Sequence, residues 1–384
     1  MAEGRTRPAW AEVDLGALSR NARRISDYVG PAQLCAVVKA DAYGHGAVPS
    51  ARAFVDGGAT WLAVAIVDEG VELREAGLSV PILLLSEPPA DAMEAAVEAG
   101  LTPTVATAEG VARAGTAGER RGVVVPLHLK VDTGMHRVGV DLDHLGPLLS
   151  AIASNPWVEL EGLYTHLAVA DSTTRDDRAY VAHQLELFDQ ATEMAHTVGL
   201  TPAIRHVANS AAALLHADAR MDMVRVGVAL YGATPSPEVA AAFGQLGAPA
   251  LEPAMSLKAR VSAVHRLEAG ARPSYGRRRA LPAPANVATV PIGYADGVAR
   301  GLFDAGYEVL IHGKRFPLAG TVTMDQVVVD CGEEPVEVGA EVVLLGVQGG
   351  QRISAEDWAG LLGTISYEVL CGIGPRVTRT FIAT

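Results

Sequence analysis

Residues 36–46 read Ala-Val-Val-Lys-Ala-Asp-Ala-Tyr-Gly-His-Gly, and the place of Lys39 in this run decides how the rest of the chain is read. Residues 34–38 form an apolar run of strand length, too short for a helix of its own. Lys39 stands where such a strand leaves a core, and Gly44 and Gly46 open a loop behind it. Ala47, Ala51, Phe54 and Val55 then recur at helical spacing. A parallel α/β barrel places its chemistry at such a strand end, and backbone N–H groups at a Gly-rich turn suit a phosphate. A solvated lysine that merely ends a strand fits the same spacing.

The pattern repeats along the chain. Before the lysine, Asp14 is a candidate N-cap for a helix that buries Leu15, Leu18, Ala22 and Ile25. After it, apolar runs recur at 61–66, 81–85, 103–106, 123–131, 158–166, 204–208 and 223–230, which makes eight strands with the first. Helical patterns over 69–76, 90–99, 107–117, 142–153 and 176–198 separate them. Alternating strands and helices imply parallel pairing through right-handed crossovers. Eight units in this length predict an N-terminal (β/α)8 TIM-like barrel, with an open doubly wound sheet as the alternative.

The character changes near Gly232. Residues 232–253 carry Pro235, Pro237 and Pro253 and read as a connection. Leu257, Ala259, Val261 and Ala263 then alternate with polar residues, a half-buried strand of period two. Strand-like runs follow at 286–292, 307–311, 326–330 and 341–345, so the chain divides into an α/β barrel over 1–245 and a mostly β domain over 246–384.

Bulk properties narrow the class. The 384 residues suit two or three domains at roughly 150 each. A net charge of −13 argues against a general nucleic-acid binder, whose affinity rests on neutralising phosphates. Cys35, Cys331 and Cys371 are far apart and lack metal spacing, and no metal-ligand cluster is apparent. The polar N-terminus with Arg5 and Arg7 has no apolar segment behind it, and no apolar run is long enough to span a bilayer. A cytoplasmic protein with no membrane partner is expected.

Polar residues gather at strand ends. Lys130, Asp132 and Arg137 follow one strand, Tyr164 and His166 end the next, and Asn209 and Ser210 follow Arg205-His206-Val207. Lys130 with Asp132 also reads as a simple ion pair, and His166 as a satisfied core histidine. Arg225 is harder to place in a structural role, because a permanent charge amid apolar strand residues needs partners or costs several kcal/mol. Together these groups would suit an anionic, phosphate-bearing cofactor or substrate.

At this point the sequence resembles the alanine racemases. Residues 36–46, Lys-Val-Asp-Thr-Gly-Met at 130–135, Tyr-Thr-His at 164–166, Ala-Asn-Ser at 208–210 and Arg-Val-Gly-Val-Ala-Leu-Tyr-Gly at 225–232 carry the likeness. Ser-Tyr-Gly-Arg at 274–277, Pro-Ile-Gly-Tyr-Ala-Asp-Gly at 291–297, Met-Asp-Gln at 324–326 and Tyr-Glu-Val-Leu-Cys-Gly-Ile-Gly-Pro-Arg at 367–376 extend it in order. The resemblance implies a homodimer acting on an amino acid with pyridoxal 5'-phosphate, each β domain closing the partner's site.

Residue by residue, it implies that Lys39 holds the cofactor as a Schiff base and serves one face of the substrate. Tyr275 of the partner subunit would serve the other face. Free tyrosine titrates near about 10, so His166, linked onward to Arg225, would assist it. Arg225 would face the pyridine nitrogen, keeping it unprotonated and restraining transamination. Tyr43, Ser210, Gly227, Val228 and Tyr367 match phosphate positions, and Asn209 lies beside the cofactor. Arg137 and Met324 match carboxylate contacts, Tyr294 the entrance, and Lys130 a lysine carbamylated in many relatives. His136 and Pro273 depart from the family pattern and bear on rate or breadth. The implied role is supply of D-alanine for peptidoglycan. A broader racemase, a barrel decarboxylase, a non-catalytic pyridoxal-phosphate carrier and a sugar-phosphate barrel enzyme are the alternatives.

Overall fold

The computed structural model describes residues 7–245 and 250–384. The polar N-terminal stretch through residue 6 and the boundary expected at 245/246 touch residues outside those described. The strand β1 (Ala9–Asp14) leads into α1 (Leu15–Val29). Asp14 is the expected cap, its Oδ1 accepting from Ala17 N at 3.0 Å. Leu18, Ala22 and Ile25 form the buried face of α1.

Eight parallel strands follow: β2 (Gln33–Val37), β3 (Trp61–Val64), β4 (Ile82–Leu84), β5 (Thr104–Val105), β6 (Val125–Lys130), β7 (Val158–Tyr164), β8 (Ile204–His206) and β9 (Met223–Val226). They form two ladders, β4-β3-β2-β9 and β5-β6-β7-β8. At one seam Thr102 N donates to Ile82 O at 2.8 Å and Leu84 N to Thr102 O at 3.0 Å. At the other, Arg225 N donates to Ala208 O at 3.0 Å. The ladders therefore close into a barrel, and the open-sheet alternative is set aside. Strands such as β3 are buried along their whole length, which is why they read as continuous apolar runs rather than alternating ones.

The connecting helices are α2 (Lys39–Gly44), α3 (Ala47–Asp56), α4 (Val67–Glu75), α5 (Met93–Glu98), α6 (Ala108–Arg121), α7 (Leu142–Ser154), α8 (Arg175–Thr197) and α9 (Ser210–Leu215). The first corrects the expectation of a loop opened by glycine. Ala40, Asp41, Ala42 and Tyr43 have φ of 53, 51, 52 and 54°, so the chain leaves β2 in a left-handed turn. Such a turn costs L-residues about 1–2 kcal/mol each. Local bonds offset the strain: Ala42 N donates to Val38 O at 2.9 Å, Ala40 N to Glu69 Oε1 at 2.6 Å, and Ala47 N to Asp41 Oδ1 at 2.6 Å.

Residues 232–253 contain α10 (Pro237–Gln245), where a bare connection was expected. A second compact unit comprises the chain through Ala17, Tyr43–His45 and everything from Glu252. Its strands are β10 (Met255–Arg260), β11 (Ala263–Leu267), β12 (Ala285–Val290), β13 (Glu308–Ile311), β14 (Lys314–Pro317), β15 (Val327–Asp330), β16 (Glu341–Gln348), β17 (Gln351–Ile353) and β18 (Thr378–Ile382). One sheet runs β14-β13-β16-β10-β1-β18 and the other β11-β12-β15. Two helices, α11 (Ala355–Leu362) and α12 (Ser366–Cys371), complete it. The N-terminal strand thus pairs inside the second unit's sheet, Trp10 opposite Lys258 on one side and Thr378 on the other. The single alternating strand expected from Leu257 to Ala263 breaks between sheets, because Val261 N bonds Ala340 O and Ser262 N bonds Thr289 O.

Within the barrel, buried Tyr231 donates its hydroxyl to Val37 O at 2.9 Å and meets Phe54 edge-on, fixing the end of β2 just before Lys39. Tyr231→Phe should lower stability by about 1 kcal/mol, the worth of an ordinary buried hydrogen bond. A denaturation midpoint equal to that of the parent would contradict this.

Candidate active site

Barrel pairing puts the polar residues of neighbouring strands in shared rows. Lys130 stands opposite Tyr164, and Tyr164 opposite His206. Arg225, on β9 next to β8, stands opposite Cys35 of β2. Parallel partners in one row face the same way, so the alternate residues on β6, β8 and β9 that are polar all point inward.

Arg225 is 4% exposed. Its NH1 donates to His206 Nδ1 at 2.7 Å and His206 O at 2.9 Å. Its NH2 donates to Thr165 O at 2.8 Å and Val207 O at 3.2 Å, with His166 Nδ1 at 3.4 Å. The guanidinium carbon stands 5.0 Å from the Tyr164 ring centroid. No carboxylate touches it among the described residues; neutral oxygens and imidazole nitrogens solvate the charge. Its Nε–H has no protein partner among the described residues.

This uncompensated cation sets the electrostatics around it. Burial and then Arg225 push His166 down to about 3, with Lys130, Arg137 and Lys39 adding to the shift. His166 is therefore neutral across the physiological range, and because Arg225 can only donate, His166 carries its proton on Nε2. Burial, Arg225 and Arg137 likewise lower Lys130 to about 8. Asp132 does not close on Lys130 as a simple ion pair. Its Oδ1 accepts from Gly134 N at 2.9 Å and His136 N at 3.0 Å, shaping the turn that carries Arg137.

Ser210 Oγ accepts from Gly227 N at 2.9 Å, so Ser210, Gly227 and Val228 meet beyond the ends of β8 and β9. Asn209 has a structural task as the cap of α9, its Oδ1 accepting from Ala212 N at 3.0 Å. In the second unit, the Tyr43 and Tyr367 rings lie 6.1 Å apart, and burial raises the Tyr43 phenol well above its ordinary value.

Three loops of the second unit bring Tyr275, Tyr294 and Met324 to its surface. Thr321 Oγ1 donates to Tyr275 O at 3.0 Å and Ser274 Oγ to Thr321 O at 2.6 Å. Tyr294 N donates to Thr323 O at 3.0 Å and Ala295 N to Met324 O at 3.1 Å. The Tyr275 ring is 74% exposed, held out by a bend in which Ser274, Gly276 and Arg277 all have positive φ. Pro273 precedes this bend and restricts it. Behind the loops lies Asp296, wholly buried, with Arg7 on both carboxylate oxygens at 2.6 and 2.7 Å.

Several supporting residues escaped the reading of strand ends. His206, next to the flagged Asn209 and Ser210, is the imidazole nearest Arg225. His128 lies behind it, two residues before Lys130 on the same inward face. His128 sits at period-two spacing from Lys130 in β6, and His206 ends β8 just before the flagged Asn209. Gln184 carries no such signal. From α8 its Nε2 donates to Thr133 Oγ1 at 3.3 Å and His166 O at 3.2 Å, and its Oε1 accepts from Ala168 N at 2.9 Å. It thereby ties the loops after β6 and β7 together.

A barrel with a cationic, lysine-bearing strand end, followed in the chain by a β-rich unit, defines an α/β protein of two units whose strand ends carry positive charge. Comparison with known proteins narrows this. The alanine racemase N-terminal domain model matches residues 13–235 and its C-terminal domain model residues 254–381. The alanine racemase of Symbiobacterium thermophilum is 45% identical, covering 98% of this chain and 97% of its own. That of Desulforamulus reducens is 42% identical over 98% and 99%. Among solved structures, the alanine racemase from D-cycloserine-producing Streptomyces lavendulae superposes with a TM-score of 0.91 at 36% identity, covering 99% of this chain and 98% of that one. The Bacillus anthracis enzyme with bound L-Ala-P gives 0.90 at 38% identity, covering 99% and 96%. The chain belongs to the alanine racemase family and is an enzyme of the isomerase class. Among the described residues no helix is long and apolar enough to cross a membrane.

The buried imidazoles make stability depend on pH. His166, His206 and His128 all titrate lower when folded than the ordinary 6.5, burial being the first cause in each. Between those values the unfolded chain binds more protons, so stability is held above about 6.5 and lost as pH falls below it. The denaturant midpoint should fall from pH 7 to pH 4.5, and His166→Gln should flatten the fall. A midpoint constant over that range would contradict the assignment.

Proposed function

We propose that the protein interconverts L-alanine and D-alanine with pyridoxal 5'-phosphate, using two bases on opposite faces of the substrate. The observation that carries this is the charge pattern of the barrel end. Four cationic side chains, Lys39, Lys130, Arg137 and Arg225, act on one another and on His166. Arg225 also keeps one N–H unspent. These residues fit a phosphorylated pyridine aldehyde: Lys39 for the aldehyde, Arg225 Nε–H for the ring nitrogen, and Ser210 with the Gly227 and Val228 backbone for the phosphate. Tyr43 and Tyr367 would add phenolic donors. When bound, that group supplies an electron sink that acidifies the substrate α-carbon.

The chain's own residues then orient the substrate and move protons. Arg137 and the Met324 backbone would hold the substrate carboxylate. Lys39 Nζ would take or return the α-proton on one face, and Tyr275 Oη of the partner subunit on the other. Each positioned proton-transfer group is worth typically 10²–10⁴ in rate. The neutral His166, with its Nε2–H free of Arg225, would serve as donor to the phenolate that forms on Tyr275. Lys130, lowered to about 8, is neutral often enough near pH 8 to add carbon dioxide. The resulting carbamate would give Arg137 an anionic partner in a site otherwise dominated by cations.

On this reading residues 1–245 hold the cofactor and 246–384 complete the partner's site in a cytoplasmic homodimer that supplies D-alanine for peptidoglycan. Purified protein given pyridoxal phosphate and L-alanine should yield D-alanine on chiral separation. Failure to yield any, with the cofactor visibly bound, would turn the reading toward other amino acids or a carrier. Serine differs from alanine by one hydroxyl, worth about 1–3 kcal/mol of discrimination, so the same assay with L-serine sets the breadth.

Lys39→Ala should abolish both the visible absorbance of bound cofactor and racemisation. Tyr275→Phe should suppress α-proton exchange of one enantiomer by about 10²-fold or more while sparing the other. Equal loss for both would contradict the two-base assignment. Mixing the two inactive variants under subunit exchange should restore part of the activity through mixed dimers, and no recovery would argue against a shared site.

A further inference from the structure

The polar chain that begins at Arg225 does not stop at His206. His206 Nε2 lies 2.8 Å from His128 Nδ1, and His128 Nε2 lies 3.5 Å from Glu161 Oε2. Neither His128 Nε2 nor Glu161 Oε2, both buried atoms, has a hydrogen-bond partner among the described residues. Tyr164 stacks on His206 at 4.6 Å and 8°, held in turn by Thr104 Oγ1 at 2.8 Å. The imidazoles are thus fixed in plane and position.

Donor counting fixes where the protons are. Arg225 can only donate, so His206 Nδ1 is bare and its proton sits on Nε2. That proton points at His128 Nδ1, which must also be bare, so His128 carries its proton on Nε2. The Glu161 carboxylate stands 3.5 Å from that nitrogen. A line of donors therefore runs from a buried cation through two neutral imidazoles to an anion. Burial lowers both histidines and keeps them singly protonated.

Two backbone features bear on this line. The pairing of β6 with β7 shifts register after Leu127, Leu127 facing Leu160 but His128 facing Gly162. Glu161 is the extra residue of that bulge, and bulges redirect side chains. Gly162 lies directly under the His128 ring, where a Cβ would come within 2.5 Å of ring atoms.

We propose that Glu161 is a positioning residue for Arg225, acting through His128 and His206 by reinforcing from the anionic end the Nε2–H tautomers that Arg225 favours from the other. With the line reversed, His206 would turn a donor toward Arg225, and the guanidinium would lose its closest acceptor. Its meaning for the cofactor nitrogen rests on the racemase reading; the tautomer assignment does not.

The test is ¹⁵N spectroscopy of histidine-labelled full-length protein, saturated with pyridoxal phosphate and again without it. His128→Gln and His206→Gln assign the two rings. Both should show a protonated Nε2 and a bare Nδ1. Glu161→Ala should loosen that pattern, adding an Nδ1-protonated population that is largest at His128, Gly162→Ala should shift the His128 signals, and Glu161→Gln, which keeps an acceptor, should retain both tautomers while moving the His128 Nε2–H signal. A protonated Nδ1 at either ring of the parent protein would overturn the proposal. So would an alanine variant with unchanged signals at both rings, or, if that variant does not fold, an unmoved His128 signal in the glutamine variant. Failure of the parent to bind pyridoxal phosphate would count against the racemase reading alone.

Discussion

The structure depends on a positive charge sealed inside a barrel without a carboxylate in contact. A guanidinium in such a place needs acceptors on every side, and the barrel supplies them from carbonyls of the segment after β7, from residues 206 and 207, and from two imidazoles. Isolated burial of a charge is worth several kcal/mol against folding, so each of these contacts constrains the strands that make it. The neighbours then inherit the field. His166 is held neutral, Lys130 is pushed toward neutrality, and the region beyond the strand ends becomes a place where an anion is stabilised.

The placing of side chains at the strand ends follows from that field together with the left-handed turn after β2. Four L-residues in the αL region are unusual, and bonds from Ala40, Ala42 and Ala47 to their surroundings hold them there. The turn fixes the direction in which the chain leaves Lys39. Tyr231 fixes the strand just before it. The lysine is thus carried on a backbone with little freedom.

Much of this was legible in the sequence. Eight apolar runs gave the barrel because parallel strands are buried on both faces and so announce themselves without alternation. Lys39, Lys130, His166 and Arg225 stood out because charge at the end or middle of such a run has few structural uses. Other features depend on contacts between distant residues. The β1 strand pairs with residues some 248 positions away (Trp10 with Lys258, 258 − 10), which no local pattern encodes. The turn at Ala40 contains no glycine until Gly44, so its handedness could not be read. Glu161 looks like a surface residue of an exposed strand edge until the bulge beside His128 turns it inward. His128 and His206 lay between: their period-two spacing from Lys130 and within β8 was present in the chain, though nothing marked them apart from ordinary core histidines.

On the racemase reading Lys39, and not the partly neutral Lys130, would hold the cofactor aldehyde. Borohydride reduction of the protein with pyridoxal phosphate, followed by digestion and peptide mass analysis, reads this directly. The account predicts a single pyridoxyl label on the peptide carrying Lys39. A label on Lys130, or one spread over surface lysines, would contradict it.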